Sequence, residues 1–182
     1  FSCPKDSVRG NQDSYVLPTP TGKGFLFAVA DGVGSYEGAK EIADTATSAL
    51  RSFKNDNFMD IQKTFQDLKE KVDAVVDAKS EWINAATTLS FCFIDNEALY
   101  VGHVGDTRVY VKKGAKLQLI TKDHTQHQEL FDDGIYTKKE LRDLPGKNTL
   151  TSAISRNIAL RFQSVTLPLS ELVDENGLIT VY

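Results

Sequence analysis

Two apolar runs in this chain each end in a short loop that joins an aspartate to a glycine. The first is Phe25-Leu26-Phe27-Ala28-Val29-Ala30-Asp31-Gly32-Val33-Gly34. The second is Leu99-Tyr100-Val101-Gly102-His103-Val104-Gly105-Asp106-Thr107-Arg108. A short continuous apolar run bounded by glycine reads as a buried strand. Phe25 to Ala30, between Gly24 and Gly32, is expected to be buried on both faces. Each run therefore delivers a carboxylate to the rim of a core, where a hard cation finds oxygen ligands. A third carboxylate, Asp13, stands ahead of the first run in Arg9-Gly10-Asn11-Gln12-Asp13.

The rest of the pattern alternates helix and strand periods. Tyr15 to Leu17 reads as a short strand closed by the turn Pro18-Thr19-Pro20-Thr21-Gly22. Ala39, Ile42, Ala43, Ala46, Leu50 and Phe53 recur at helical spacing, with Ser35 as a candidate cap and Glu37 near the first turn. Ile61, Phe65, Leu68, Val72, Val75 and Val76 form the stripe of a second helix. Asn55-Asp56-Asn57 joins the two into an antiparallel pair. Then the period shortens: Thr87 to Ile94, Ala98 to Val104, Arg108 to Lys112 and Lys116 to Ile120 read as four strands. Asp95-Asn96 and Lys113-Gly114-Ala115 are hairpin signals between them. Asp123 to Lys147 is polar, with short helices and loops; Leu150 to Ile154 fits either a helix or a bridge. Ile158 to Leu167 and Leu178 to Tyr182 read as further strands. This order suits a layered α+β domain.

Composition narrows the function classes. The 182 residues suffice for one domain, and 41% apolar with 25% charged residues is ordinary for a soluble fold. A net charge of -4 lacks the basic excess of a nucleic-acid-binding domain. No apolar stretch is long enough to span a membrane, and no signal peptide is visible. Cys3 and Cys92 lie too far apart in sequence for a disulfide framework or a zinc motif, and Cys92 reads as core. The protein is expected to be a cytoplasmic monomer that binds neither nucleic acid nor membrane. The chain opens on Phe1 without Met and closes mid-strand at Val181-Tyr182, so it is expected to be truncated.

Locally, each acidic loop has two readings. Asp31-Gly32 is as much a turn signal as a ligand loop, although the residues after it lead toward a helix. Gly105-Asp106-Thr107-Arg108 favours a tight hairpin with Arg108 paired to a nearby acid. Arg9 has the fork that grips a phosphate, but an Arg near an Asp is commonly a plain surface pair. His103, His124 and His127 lack the spacing of a zinc motif; His103, just before the Asp106 loop, reads as a support behind that loop or, more readily, as a satisfied buried or surface residue, and His124 as a helix cap or a group facing the site. A nucleophile elbow and a phosphate-cradling Gly-rich loop are both absent from the sequence.

In order, the segments resemble the type 2C, metal-dependent serine/threonine protein phosphatases (the PPM family), in their bacterial-style branch. The resemblance rests on Arg9-Gly10-Asn11-Gln12-Asp13, Phe27 through Gly34, Ala86-Thr87-Thr88-Leu89 and Val104-Gly105-Asp106-Thr107-Arg108. It extends to Leu119-Ile120-Thr121-Lys122-Asp123-His124-Thr125 and Leu150-Thr151-Ser152-Ala153-Ile154. It implies an α-β-β-α sandwich of two antiparallel sheets flanked by helix pairs. It also implies two or three Mg²⁺ or Mn²⁺ ions, a phosphorylated protein as substrate, and attack on phosphorus by a metal-bound water. By this analogy Asp31 bridges two ions and the Gly32 carbonyl ligates one. Asp13 assists, Asp106 helps hold a weaker third ion, and Arg9 grips the phosphate. Substrate choice is expected to lie in the flap, His127 to Lys147.

The sequence also departs from the family pattern. Gln12 replaces a common Glu, Val33 stands where eukaryotic members often carry His, and Arg9 is one residue nearer Asp13 than in many members. The family's two later metal-binding aspartates have no counterpart before Tyr182. Two readings follow: a phosphatase domain spanning 1–182 that lacks its C-terminal strands, or a weak or inactive relative that serves as a binding or regulatory module.

Overall fold

A computed structural model of the chain describes residues 10–33, 36–53, 57–174 and 176–182. In chain order the first half runs β1 (Asp13–Thr21), β2 (Gly24–Asp31), α1 (Ala39–Ser52), α2 (Ile61–Asp77), β3 (Ala86–Thr87), β4 (Leu89–Ile94) and β5 (Ala98–Val104). The second half runs β6 (Tyr110–Lys113), β7 (Lys116–Leu119), α3 (Gln126–Asp132), α4 (Lys138–Leu141), β8 (Ile154–Ser155) and β9 (Gln163–Pro168). The main sheet is antiparallel throughout, in the order β1-β2-β4-β5-β9.

Alternation along the strands divides the core in two. Leu26, Ala28 and Ala30 of β2 point under the α1/α2 pair, where they meet Ile42, Ala46, Leu50, Phe65 and Leu68. Phe58, Phe65, Phe91, Phe93 and Phe162 join this layer, with Phe65 stacked on Phe162 at 4.8 Å. The other face of the sheet carries Cys92, Leu99 and Val101, which pack with Val109, Val111 and Leu172. There the β6–β7 hairpin forms a second, smaller layer. Residues 180–182 run beside β6, with Tyr110 and Tyr182 exchanging backbone hydrogen bonds of 2.8 Å.

Several expectations need correction. Strand β2 is buried on one face only: Phe25 is 50% and Val29 46% exposed, because the small second layer does not extend over them. The first strand is much longer than Tyr15–Leu17; a register shift between Val16 and Thr19 accommodates Pro18, and β1 is an edge strand that tolerates proline. The expected α+β class with antiparallel sheets holds, and among the described residues one long helix pair lies on one face of the main sheet. The Ser35 cap falls outside the described residues, and Gly38 occupies the N-cap of α1 with φ 85°. Asn55 and Asp56 of the helix connection also lie outside them. Leu150 to Ile154 is a bridge: Leu150 meets Thr125, and β8 pairs with β3.

Candidate metal and phosphate site

Antiparallel register gathers the acidic loops at one end of the main sheet. Asp13 opens β1 and stands directly across from Asp31, which closes β2. Thr88 precedes β4, and Gly105 follows β5 on the neighbouring strand pair. Facing residues on antiparallel neighbours are only about 4.5–5.5 Å apart at Cα. Two carboxylates so placed repel each other unless a cation lies near them.

The Asp31 loop is held by its backbone. Its N–H donates to Thr88 Oγ1 at 3.2 Å, and its carbonyl accepts from Thr88 N at 2.9 Å and Thr87 Oγ1 at 3.0 Å. On the other side Gly32 N–H donates to the Gln12 carbonyl at 3.3 Å. A Cβ at Gly32 would sit 2.8 Å from that same oxygen, so any side chain there would push β1 and β2 apart. The glycine after Asp31 is thus required by close backbone approach and does not make a hairpin turn; it forms a β-bridge to Thr87.

The second loop overturns the hairpin reading. Chain direction after β5 passes from the main sheet into the β6–β7 layer, so Gly105–Arg108 is a crossover between sheets. Gly105 has φ 104°, and a Cβ on it would meet Thr88 at 2.5 Å. Thr88 Oγ1 also lies 2.6 Å from Thr107 Oγ1. Thr88, fully buried, therefore ties the Asp31 loop to the Asp106 loop through one hydroxyl. Arg108 does pair with an acid, as expected: Nε and Nη2 grip the Asp123 carboxylate at 2.8 and 2.6 Å. That pairing raises the already high pKa of the guanidinium. Asp106 is half-buried, and its carboxyl is pushed up first by burial and then by the Asp123 charge.

Two histidines brace the crossover from behind. His103 is buried, with Nε2 donating to the Lys122 carbonyl at 3.2 Å and Nδ1 against Ser90 Oγ at 2.8 Å. Burial, with the neighbouring His124, takes its pKa down to about 4, so it is neutral. His124 stacks on it at 5.1 Å and does not cap the next helix; Thr125 does. His124 Nδ1 accepts from Gly105 N–H at 3.0 Å, which holds the residue before Asp106.

The structure places Asp13 and Asp31 side by side, with Gly32 next to them. Arg9 lies outside the described residues. Among the described residues, Asp106 does not join Asp13 and Asp31 into a group of three metal-binding side chains. The donors fit a hard cation in kind, since they are carboxylate oxygens on rigid strand ends. In sequence Thr88 and Asp123 stand out only as parts of longer segments, whereas His124 is singled out as a helix cap or a group facing the site. The signal for Thr88 was available: a hydroxyl inside a buried run must find a partner.

Beside the site a cleft of about 620 Å³ runs along the uncovered face of the sheet and reaches Asn11, Asp13, Thr107 and Arg108. No helix among the described residues is long and apolar enough to cross a membrane.

Comparison with known proteins places this geometry in context. The profile of the protein phosphatase 2C family matches residues 7–142. The serine/threonine protein phosphatase PstP of Mycobacterium tuberculosis is 29% identical over 141 residues, covering 71% of this chain and 26% of the relative. The chain thus spans about a quarter of that relative's length. In fold it is similar to the Staphylococcus aureus serine/threonine phosphatase Stp1, with a TM-score of 0.80 at 18% identity over 93% of this chain and 70% of the other. The catalytic domain of PstP in complex with two manganese ions superposes with a TM-score of 0.71 at 22% identity, over 92% of this chain and 69% of that one.

Proposed function

The chain belongs to the protein phosphatase 2C family, and on that premise we propose that it hydrolyses phosphoserine and phosphothreonine in proteins with a divalent cation. The observation that carries this reading is Asp13 opposite Asp31 at the sheet rim, on a backbone that Gly32 and Thr88 hold in place. Mn²⁺ bound to the PstP catalytic domain supports the choice of ion. A bound divalent cation supplies positive charge at the phosphoryl oxygens and makes a nearby water more acidic.

The chain's own groups do the positioning. Asp31 and Asp13 present carboxylates on neighbouring strands, and Asp31 is the first candidate to hold the ion, with the Gly32 carbonyl beside it. Asp106 is the candidate for a weaker ion; its raised pKa marks a carboxylate that gains from a cation nearby. Arg9 is proposed to hold the substrate phosphate. We further propose that residues 1–182 are the larger part of one phosphatase domain.

The test compares peptides in the presence of Mn²⁺. The chain should release phosphate from phosphothreonine and phosphoserine peptides and much more slowly from a phosphotyrosine peptide, with all release stopped by EDTA. Release that persists in EDTA would refute the metal-dependent reading.

A further inference from the structure

A second concavity opens between the flap and the Asp106 loop, about 430 Å³ in volume. Its floor carries Asp106 and the Arg108–Asp123 pair. The flap contributes the cations Lys138, Arg142 and Lys147, together with the apolar Phe131 and Leu141.

This flap is built rather than loose. Thr125 caps α3 through Gln128 N–H. Thr137 and Glu140 close a reciprocal capping box on α4. Leu141 is buried, and His127 Nε2 donates to the Pro145 carbonyl at 3.0 Å. Helices this short do not hold their shape alone, so these restraints keep the groove's cations in place.

Charge along the groove is sorted. Arg108 and Asp123 neutralise each other in a bidentate pair. None of the flap acids lines the groove: Asp132 pairs with Lys122, Glu129 with Arg161 and Glu140 with its own cap, while Asp133 and Asp143 lie outside the lining. Lys138 lies over the Phe131 ring at 4.9 Å, and Lys147 makes no ion pair among the described residues. Arg142 reaches only the exposed Asp143, at 3.9 Å. Apart from the Arg108–Asp123 pair, the groove therefore has one acid, Asp106, on the crossover loop and three exposed cations on the flap.

We propose that this groove selects phosphopeptides whose residues beside the phosphorylated position are acidic. The inference rests on the phosphatase reading for the placement of the phosphoresidue near Asp106. Lys138, Arg142 and Lys147 then receive the flanking carboxylates, while the exposed Phe131 ring, backed by the buried Leu141, gives the peptide backbone an apolar wall. Electrostatic complementarity of this kind sets partner choice more than total affinity.

The test uses labelled peptides carrying a phosphonate analogue of phosphothreonine, which cannot be hydrolysed, flanked by Glu, Gln or Lys. Fluorescence anisotropy with Mn²⁺ present should show the Glu-flanked peptide binding about tenfold more tightly than the Gln-flanked one, the sum of three exposed charge pairs. The advantage should shrink with added salt. Lys138→Ala/Arg142→Ala/Lys147→Ala should abolish it, and Arg142→Glu/Lys147→Glu should shift preference to the Lys-flanked peptide, which misfolding cannot mimic. No preference among the three peptides, including no detectable binding, overturns the proposal, as does a preference that survives the variants. Hydrolysis of p-nitrophenyl phosphate, which has no flanking residues, separately decides the phosphatase reading and should be unchanged in the triple variant.

Discussion

At the scale of single residues, the site depends on groups that touch no substrate. Thr88 is the clearest. Its hydroxyl takes the Asp31 N–H and meets Thr107, so Thr88→Val, which keeps the volume, should cost about 1–3 kcal/mol in stability. The same change should weaken Mn²⁺ binding in a calorimetric titration, and Thr88→Ser should restore it; equal binding by Thr88→Val would remove Thr88 from a positioning role. His103 makes a different prediction. Its pKa falls from an ordinary 6.5 to about 4 on folding, so the native state binds its proton less tightly than the unfolded state. The stability is complete above the unfolded value and is lost as pH falls from there toward the folded one. Burial is the largest cause, His124 stacked on the ring pushes the same way, and Asp123 in range of it pushes back. The loss should be about 2 kcal/mol between about pH 7.5 and about pH 5. His103→Gln should show a loss smaller by that amount in urea titrations at the two pH values. Equal losses would mean that His103 is not the titrating group.

At the scale of elements, the two faces of β2 make a sharp comparison. Leu26 faces the helices and is 2% exposed, so Leu26→Ala should cost about 2–5 kcal/mol. Phe25, the residue before it, points to the uncovered side, and Phe25→Ala should cost under about 1 kcal/mol by the same denaturation measurement. Similar costs would mean that both faces are buried. The helices were legible from their apolar stripes, and α1 and α2 bury the residues those stripes named, with Phe53 and Val75 partly buried. The strand runs were legible as well. What periodicity cannot carry is which strand lies beside which. Gly105–Arg108 has a hairpin's residues and makes a crossover, because the clash of a Gly105 side chain with Thr88 is a contact between distant parts of the chain. The uncovered face of β2 was hidden for a related reason: a run of apolar residues looks alike whether one or both faces are covered.

At the scale of the whole molecule, the place of the proposed site follows from strand direction. An antiparallel sheet brings the start of β1, the end of β2, the approach to β4 and the exit from β5 to one edge. Each loop there carries a residue that local sequence alone left ambiguous, and the order of the motifs, more than any one of them, made the family legible. That Asp13, Asp31 and Gly32 belong to one edge was readable in that way, and their role there is what we propose; the bracing by Thr88 and His124 was not readable, since it joins segments far apart in sequence. The central claim is that this edge holds a catalytic divalent cation through Asp31. It is tested most directly by p-nitrophenyl phosphate hydrolysis titrated with Mn²⁺, comparing the chain with Asp31→Asn. The account predicts a rate that saturates with Mn²⁺ and disappears in Asp31→Asn while the circular dichroism spectrum is unchanged. An Asp31→Asn variant as active as the parent, or a parent rate indifferent to Mn²⁺, would contradict it.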